Sequence, residues 1–287
     1  MRILLKPVFT IAEVYDKCLA GVGDAGLVAS LQVISPAVSA QAELYDSKAI
    51  MSCLYQLPQN TARNEDVILD GITKKQLKSL YSQYMVPQDK PARIYYDLLI
   101  GMAPHGKCPY CGFGQASTLD HYLPKSKYPF FAILAANLVP SCKDCNTGKS
   151  ADIAGVANEQ SIHPYYDSAI FVENQWLFAK VEESHPPSIT YFVSPPSTWL
   201  EESKQRALKH FEDFKLAKRF SIEAADEISS IADSFSESIE YLDDQEVRRQ
   251  LLRRSNAEFQ KHKNSWKTAL YQALASSDWY CAEGCRI

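Results

Sequence analysis

Four of the eight cysteines form two pairs with two residues between partners: Cys108 and Cys111 in CPYC, and Cys142 and Cys145 in CKDC. This spacing lets both thiolates of a pair turn toward one ion, and two pairs complete a tetrahedral zinc shell. Because four thiolates leave no open position, we predict a structural zinc rather than a catalytic one. Four unpaired buried thiols are a weaker alternative, since turn residues accompany the first pair.

Between the two pairs, the stretch TLDHYLP sets Asp120 beside His121 at the end of a short apolar run. A neutral imidazole with its ordinary pKa of about 6.5 can take a proton from water. Carboxylate and amide oxygens suit Mg²⁺ or Mn²⁺. Adjacent strand residues face opposite ways, so both side chains share one site only if the chain leaves strand geometry there. Alone, the dipeptide is equally typical of a surface salt bridge.

The second cysteine pair coincides with a predicted helix start. Ser141, with Asp144 three residues later, has the pattern of a capping box. At helical spacing, Asn146 and Lys149 share a broad face with the second cysteine pair. A zinc bound there would therefore fix the direction of both side chains.

Composition indicates a globular protein and excludes a broadly basic nucleic-acid coat. The chain has 287 residues, 46% of them apolar, and a net charge of −4, enough for a sizeable core but with no overall positive field. The N-terminal apolar run is broken at Lys6 and Pro7 and lacks a small-residue cleavage site. We therefore predict no signal peptide, no membrane span and a cytoplasmic location, where cysteines favour metal over disulfides.

Changes in composition and hydrophobic periodicity along the chain predict an α+β, mostly α fold in three regions. Residues 1–103 carry apolar side chains at three- and four-residue intervals, which is typical of helices. Residues 104–165 are rich in Gly, Pro, Cys, His and Asn with short β-like runs, and form the middle module. Residues 166–287 are mainly helical, with a small hairpin between Phe171 and Val193.

A basic stretch lies in the C-terminal region and has two interpretations. It is either a solvated helix face that pairs with the acidic helix before it, as charge runs usually are, or a docking surface for nucleic acid or a partner. Its four arginines are Arg248, Arg249, Arg253 and Arg254.

The motifs CPYCG, TLDHYLPKS, NLVPSC and CKDCNTGKS together resemble the HNH nucleases, also called ββα-metal or His-Me finger endonucleases, in the subset braced by a four-cysteine zinc. The resemblance covers about Cys108 to Ser150 and implies a small zinc-braced finger between helical regions. It implies that His121 is the general base and that Asn137 ties the loop carrying it. It also implies that Asp120 and Asn146 hold a catalytic Mg²⁺ or Mn²⁺; Asn in place of the last motif histidine implies modest affinity.

Lysines give the finger the positive charge that the whole chain lacks. Lys125, Lys127, Lys143 and Lys149 are expected to contact phosphates without reading sequence. The resemblance implies a metal-dependent endonuclease that hydrolyses phosphodiester bonds of DNA. RNA cleavage is one alternative, and a non-catalytic zinc module that binds nucleic acid or protein is another.

A second resemblance rests on organisation and on IHPYYD, from Ile162 to Asp167. The order of helical leader, HNH centre, this motif and helical C-terminal region is similar to stand-alone bacterial HNH proteins of anti-phage defence. These include the nuclease subunit of Septu-type systems, which works with an ATPase, so a regulatory partner is implied. His163 either closes the cleft or is a packed residue. Cys281 and Cys285 lack the pair spacing and are interpreted as ordinary thiols.

Overall fold

A computed structural model describes residues 1–149, 153–236 and 243–286. Contacts divide the chain into two compact units, one formed by Arg2–Asp167 and the other by Ser168–Ile287 with Met1. The described residues form mostly helices with three two-stranded antiparallel sheets. The predicted class, α+β and mostly α, is thereby confirmed, whereas the division into three regions stays a prediction.

The unit Arg2–Asp167 is a helical assembly that holds a two-stranded sheet. Its elements are α1 (Ile11–Leu19), α2 (Ala25–Val33), α3 (Ser35–Ile50), β1 (Val67–Leu69), β2 (Ile72–Thr73), α4 (Lys74–Tyr84), α5 (Arg93–Gly101), β3 (Thr118–His121), β4 (Leu138–Ser141) and α6 (Lys143–Gly148). Helices α1, α3, α4 and α5 and the strands β3 and β4 contribute to one core, in which Leu77, Leu99, Leu119 and Leu138 are buried. The strands β3 and β4 therefore share their core with the N-terminal helices.

The strands β3 and β4 and the helix α6 form the predicted ββα arrangement. Asp120 pairs with Val139 and His121 with Leu138 in an antiparallel register. The predicted capping box at Ser141 is wrong, because Ser141 is the last residue of β4 and its carbonyl accepts from the Ser117 N–H at 3.0 Å. The Sγ of Cys142 caps α6 instead.

A short hairpin, β1 and β2, interrupts the region that the sequence predicted to be helical. Asp70 and Gly71 form its turn with φ of 42° and 80°. An Asp-Gly pair is a typical sequence for a two-residue hairpin turn, because both positions require positive φ.

The second unit contains the predicted hairpin among helices. Strands β5 and β6 pair from Leu177 opposite Val193 to Glu182 opposite Ser188. Helix α11 packs on β5, α9 on β6 and α10 on α11. The elements are α7 (Ile170–Glu173), β5 (Leu177–Glu182), β6 (Ser188–Val193), α8 (Glu201–Asp213), α9 (Leu216–Ser236), α10 (Asp244–Lys261) and α11 (Trp266–Ser276).

The length and apolar composition of the described helices determine whether any of them could span a bilayer. No single one of them is long and apolar enough to cross a membrane. The consecutive helices α2 and α3 meet the length and composition only as a pair, with a bend of 51° between them.

Candidate metal centre and active site

The two cysteine pairs come together as the sequence predicted. The four thiols are buried, and their Sγ atoms all lie within 4.8 Å of one another. The Sγ atoms of Cys111 and Cys142 are 3.8 Å apart. A zinc tetrahedron with bonds of ~2.3 Å has edges of about 3.8 Å, so this spacing fits the ion. The cluster, formed by Cys108, Cys111, Cys142 and Cys145, could hold a structural zinc.

The first cysteine pair lies in a tight loop shaped by glycines. The Cys108 N–H donates to the Gly114 carbonyl at 2.8 Å, and the Gly112 N–H donates to the Cys108 carbonyl at 2.8 Å. Gly112 has a φ of +80°, which favours glycine. A Cβ on Gly114 would lie 2.9 Å from the Cys142 Sγ. Gly114 therefore permits the close approach of the loop to the second pair.

The four thiols of the cluster shift one another's pKa in opposite directions. Hydrogen bonding with Cys108 lowers the pKa of the Cys111 thiol to about 7, and hydrogen bonds from Cys108 and Cys111 lower the pKa of Cys142. Burial raises the pKa of Cys108, and hydrogen bonds with Cys108 and Cys111 raise the pKa of Cys145. The Cys145 N–H donates to the Cys142 Sγ at 3.5 Å. Thiolate is the form that ligates metal, so two of the four thiols are shifted toward that form before any cation binds.

Asp120 lies in β3 with a buried carboxylate. Its Oδ2 accepts a hydrogen bond from the Tyr110 hydroxyl at 3.1 Å and lies 3.7 Å from the Lys149 ammonium. Burial raises the pKa of Asp120, while Lys149 and Tyr110 oppose that rise. Tyr110 was not predicted as a site residue. Its position between two cysteines of the cluster nevertheless indicated that the side chain would be held in one position.

Asn146 lies on α6 and is anchored to β3. Its Nδ2 donates to the Thr118 Oγ1 at 3.1 Å and approaches the Leu119 carbonyl at 3.5 Å. The amide nitrogen is thus directed to β3 next to Asp120, and the amide oxygen is the atom that could ligate a cation. Asp120 and Asn146 together supply oxygen donors of the type that Mg²⁺ and Mn²⁺ prefer.

His121 ends β3 with a half-buried, neutral imidazole. Its Nε2 lies 2.8 Å from the Ala132 carbonyl oxygen. Because a carbonyl only accepts, Nε2 carries the proton and Nδ1 carries a lone pair. The expectation of an ordinary pKa is wrong: burial, reinforced by the charge of Lys125, lowers the pKa of His121 to about 3. The ring also meets Tyr81, with centroids 4.4 Å apart, a neighbour that the sequence did not reveal.

Asn137 makes the predicted backbone hydrogen bonds. It is fully buried, accepts from the Leu123 N–H at 2.7 Å, and donates to the carbonyls of Leu123 at 3.0 Å and Phe131 at 3.1 Å. These bonds close the loop that follows His121. The Ala132 carbonyl that accepts the hydrogen bond from the His121 Nε2–H follows Phe131 directly, so Asn137 helps to place both ends of that contact.

His163 is a packed residue of the same buried network. Its Nδ1 accepts from the Tyr165 N–H at 3.1 Å, so Nε2 is protonated and donates to the Tyr45 hydroxyl at 3.0 Å. The Tyr45 hydroxyl lies 3.2 Å from the Asn137 Oδ1. Of the two interpretations of His163, the contacts favour packing.

The predicted site residues fall into two neighbouring groups. Asp120, Asn146 and Lys149 lie where α6 meets β3. His121 at the end of β3 and Lys125 after it lie instead beside the loop that connects β3 to β4. In the described chain, no hydrogen bond or ion pair joins the Asp120 carboxylate to the His121 imidazole, although the backbone N–H of His121 acts on the carboxylate and lowers its pKa, and β3 remains paired through His121. The charge of Lys149 acts on the pKa of both residues, which places Lys149 near both groups.

Two further lysines that were predicted to contact phosphate are exposed, and the two cysteines near the C-terminus are buried. Lys143, the first residue of α6, and Lys127 are exposed. Cys281 and Cys285 are buried in the second unit; the Cys281 thiol bonds the Leu274 carbonyl and the Cys285 thiol bonds the Cys281 carbonyl.

The basic stretch lies on α10. Arg248 bonds the Ala275 carbonyl and the Asp278 carboxylate, both at 2.6 Å, and Arg249 pairs with Glu246. These contacts favour the interpretation of a solvated, internally paired face.

Fold and site define a class: a mostly helical α+β protein with a ββα unit beside a buried four-cysteine cluster that could bind a metal. Protein ea31 of Escherichia phage lambda is 31% identical over 291 residues, which cover 97% of this chain and 98% of that protein. The chain belongs to the family of that phage protein. No family model and no solved structure matches the chain.

Proposed function

We propose that this protein is a metal-dependent HNH endonuclease that hydrolyses phosphodiester bonds of DNA. The observation that carries the proposal is the ββα unit, in which β3 presents Asp120 and His121, β4 follows the buried Asn137, and α6 presents Asn146 after the second cysteine pair. Sequence motifs and three-dimensional arrangement thus agree along one continuous segment.

His121 is the proposed general base. Its Nε2–H is engaged by the Ala132 carbonyl at 2.8 Å, so Nδ1 is the atom that accepts a proton from the attacking water. A pKa of about 3 makes the free imidazole a weak base. Phosphates beside Lys125 and Lys149 would offset the positive charges that lower this pKa and so strengthen the base.

Asp120 and Asn146 are the proposed ligands of the catalytic cation. Their oxygens fit Mg²⁺ or Mn²⁺. Burial raises the pKa of Asp120, the positive charge of Lys149 opposes that rise, and a bound cation would stabilise the carboxylate further. A divalent cation bound there supplies charge neutralisation at the phosphorane and at the departing 3′ oxygen. Lys149, now 3.7 Å from Asp120 Oδ2, is proposed to turn from the carboxylate to a substrate phosphate.

The four cysteines are proposed to hold a structural Zn²⁺ that braces the finger. Zinc bound there fixes the loop that carries Tyr110 against the N-terminus of α6. Its binding free energy contributes to folding, as at other structural zinc sites.

The proposed setting is bacterial anti-phage defence, with a regulatory protein partner such as an ATPase. An unrestrained endonuclease would cut its own host DNA, which is the physical reason to expect a partner. A cytoplasmic location belongs to the same proposal.

The substrate class is tested with purified protein, supercoiled plasmid, linear duplex, single strands and RNA, in Mg²⁺, Mn²⁺ or EDTA. Cutting of plasmid and linear DNA that requires the cation is the expected result. Cation-dependent cutting of RNA alone would establish the RNA alternative. No cutting of any substrate, with zinc bound and nucleic acid retained, would instead establish the non-catalytic zinc module.

A further inference from the structure

Helix α4, outside the finger, brings positive charge to the edge of the proposed active site. The Lys125 ammonium lies 4.3 Å from the centroid of the Tyr81 ring. The same ring meets the His121 ring at 4.4 Å between centroids. Lys78 lies three residues before Tyr81 on α4, one turn away on the same face. Tyr81 therefore lies between Lys125 and the proposed base, and the charge of Lys78 on α4 acts on Lys125.

The positive region continues past Lys125 along the loop. The Lys127 carbonyl accepts from the Asn60 N–H at 2.8 Å, and the Lys74 ammonium donates to the Asn60 carbonyl at 2.9 Å. Lys74 is buried and bonded to backbone carbonyls, so its role is structural, but its charge adds to the local potential. Burial lowers the pKa of Lys74, the charges of Lys78 and Lys127 lower it further, and the carboxylate of Asp66 opposes the shift.

Three of these lysines make no ion pair in the described part of the chain. Across residues 1–149, 153–236 and 243–286, no carboxylate lies within ion-pair distance of Lys78, Lys125 or Lys127. The Lys78 ammonium bonds the amide oxygen of Asn64 at 2.9 Å, a neutral partner. Burial and the charge of Lys78 lower the pKa of Lys125. Half-buried like charges without a counter-anion are unfavourable, and a bound polyanion would relieve their repulsion.

We propose that Lys78, Lys125 and Lys127 form a track for the sugar-phosphate backbone of DNA on the α4 side of His121. The identity of the anion rests on the proposed nuclease function. Ammonium groups on flexible stems contact phosphates as point charges without reading bases, so the track adds affinity without sequence specificity. The N-terminal helices thereby extend the substrate surface beyond the small finger.

The track is tested by fluorescence anisotropy of a labelled DNA duplex with zinc-loaded protein in buffer without Mg²⁺ or Mn²⁺, which prevents cation-dependent cleavage and leaves the cysteine cluster loaded, over a range of salt concentrations. Each lost phosphate contact lowers the slope of log affinity against log salt by about 0.9. Lys78→Gln and Lys125→Gln should each weaken binding and lower the slope by about that amount. Lys17→Gln removes the same charge from an exposed position on α1 of the same unit and should change neither quantity.

The outcomes separate the track from the nuclease. Slopes for Lys78→Gln and Lys125→Gln equal to that of Lys17→Gln would overturn the track even if the parent cuts DNA. Lysine-dependent binding by a parent that never cuts would support the track and overturn the nuclease. Parent protein that does not bind DNA would overturn the track, and lysine-dependent binding of RNA or an acidic protein but not DNA would do the same. Lys125→Arg retains the charge and should retain the slope, which controls for misfolding.

Discussion

Tyr110 links the cysteine cluster to the proposed cation site through one hydroxyl group. It lies between Cys108 and Cys111, is fully buried, and donates to the Asp120 Oδ2 at 3.1 Å. Burial raises the pKa of Tyr110 well above its usual value, so the hydroxyl remains a donor. A hydrogen bond to the ionised carboxylate stabilises that form and orients it. Loss of zinc would therefore disturb Asp120 as well as the loop.

Replacing Tyr110 with Phe should weaken Mn²⁺ binding about 10- to 100-fold, the usual effect of removing a partner that orients a metal ligand. Zinc content should remain that of the parent, because no thiol is changed. The measurement is Mn²⁺ titration followed by electron paramagnetic resonance.

Tyr15→Phe provides the matched control for this substitution. The Tyr15 hydroxyl is also buried and donates to the Leu31 carbonyl at 2.8 Å, remote in sequence from the site. Equal losses of Mn²⁺ affinity in the two variants would show that Tyr110 has only a general packing role.

The loop of the first cysteine pair depends on Gly114. A Cβ there would lie 2.9 Å from both the Cβ and the Sγ of Cys142, and 3.4 Å from the Cys111 Sγ. Neither neighbour can move without displacing the cluster. Gly114→Ala should therefore lower the melting temperature and the zinc stoichiometry together, measured by calorimetry and metal analysis.

Gly101→Ala is the comparison for Gly114→Ala. A Cβ on Gly101, the last residue of α5, meets no atom within 4 Å, and alanine is the better helix former. It should leave zinc binding unchanged and maintain or raise the melting temperature. Full zinc occupancy and parental melting of Gly114→Ala would disprove the steric role of Gly114.

The elements of the finger were predictable because short-range patterns specify them. The C-x-x-C spacing indicated the cluster, and Asn137 was correctly assigned to tie the loop after His121. The Asp70–Gly71 pair also indicates a hairpin turn, but the helical periodicity of the residues around it favoured the prediction of a helical region.

Contacts set by packing were not predictable from the sequence. Tyr81 meets His121 from 40 residues earlier in the chain, and only the assembled core of α4 and β3 brings the rings together. The low pKa of His121 also results from packing, because burial of the imidazole is its main cause. Cys142, and not the predicted Ser141, caps α6, because strand pairing extends through Ser141.

At the scale of the whole molecule, charge is organised differently in the two units. Around His121, Lys78 and Lys125 have no carboxylate partner in the part of the chain that the structure describes, whereas Arg248 and Arg249 on α10 are paired within their own unit. Exposed charges that are paired or solvated contribute little to binding of another molecule. The proposed binding of nucleic acid is therefore expected at the unit Arg2–Asp167.

Reversal of Arg249 and Arg253 to Glu should leave DNA affinity unchanged, because both side chains are exposed and belong to the second unit. Anisotropy with labelled duplex measures the affinity, and Lys78→Gln in the same assay gives the size of a real loss. A drop as large as that of Lys78→Gln would restore the docking interpretation of the basic stretch.

The proposed role of His121 as the base of a cation-dependent nuclease can be measured by plasmid cleavage at saturating Mn²⁺ with parent and His121→Ala protein. General-base assistance contributes ~10²–10⁴-fold, so the variant should lose turnover by that factor while retaining zinc and Mn²⁺. EDTA should abolish parental cutting. Cleavage by His121→Ala at the parental rate, or parental cutting that persists in EDTA, would disprove this role.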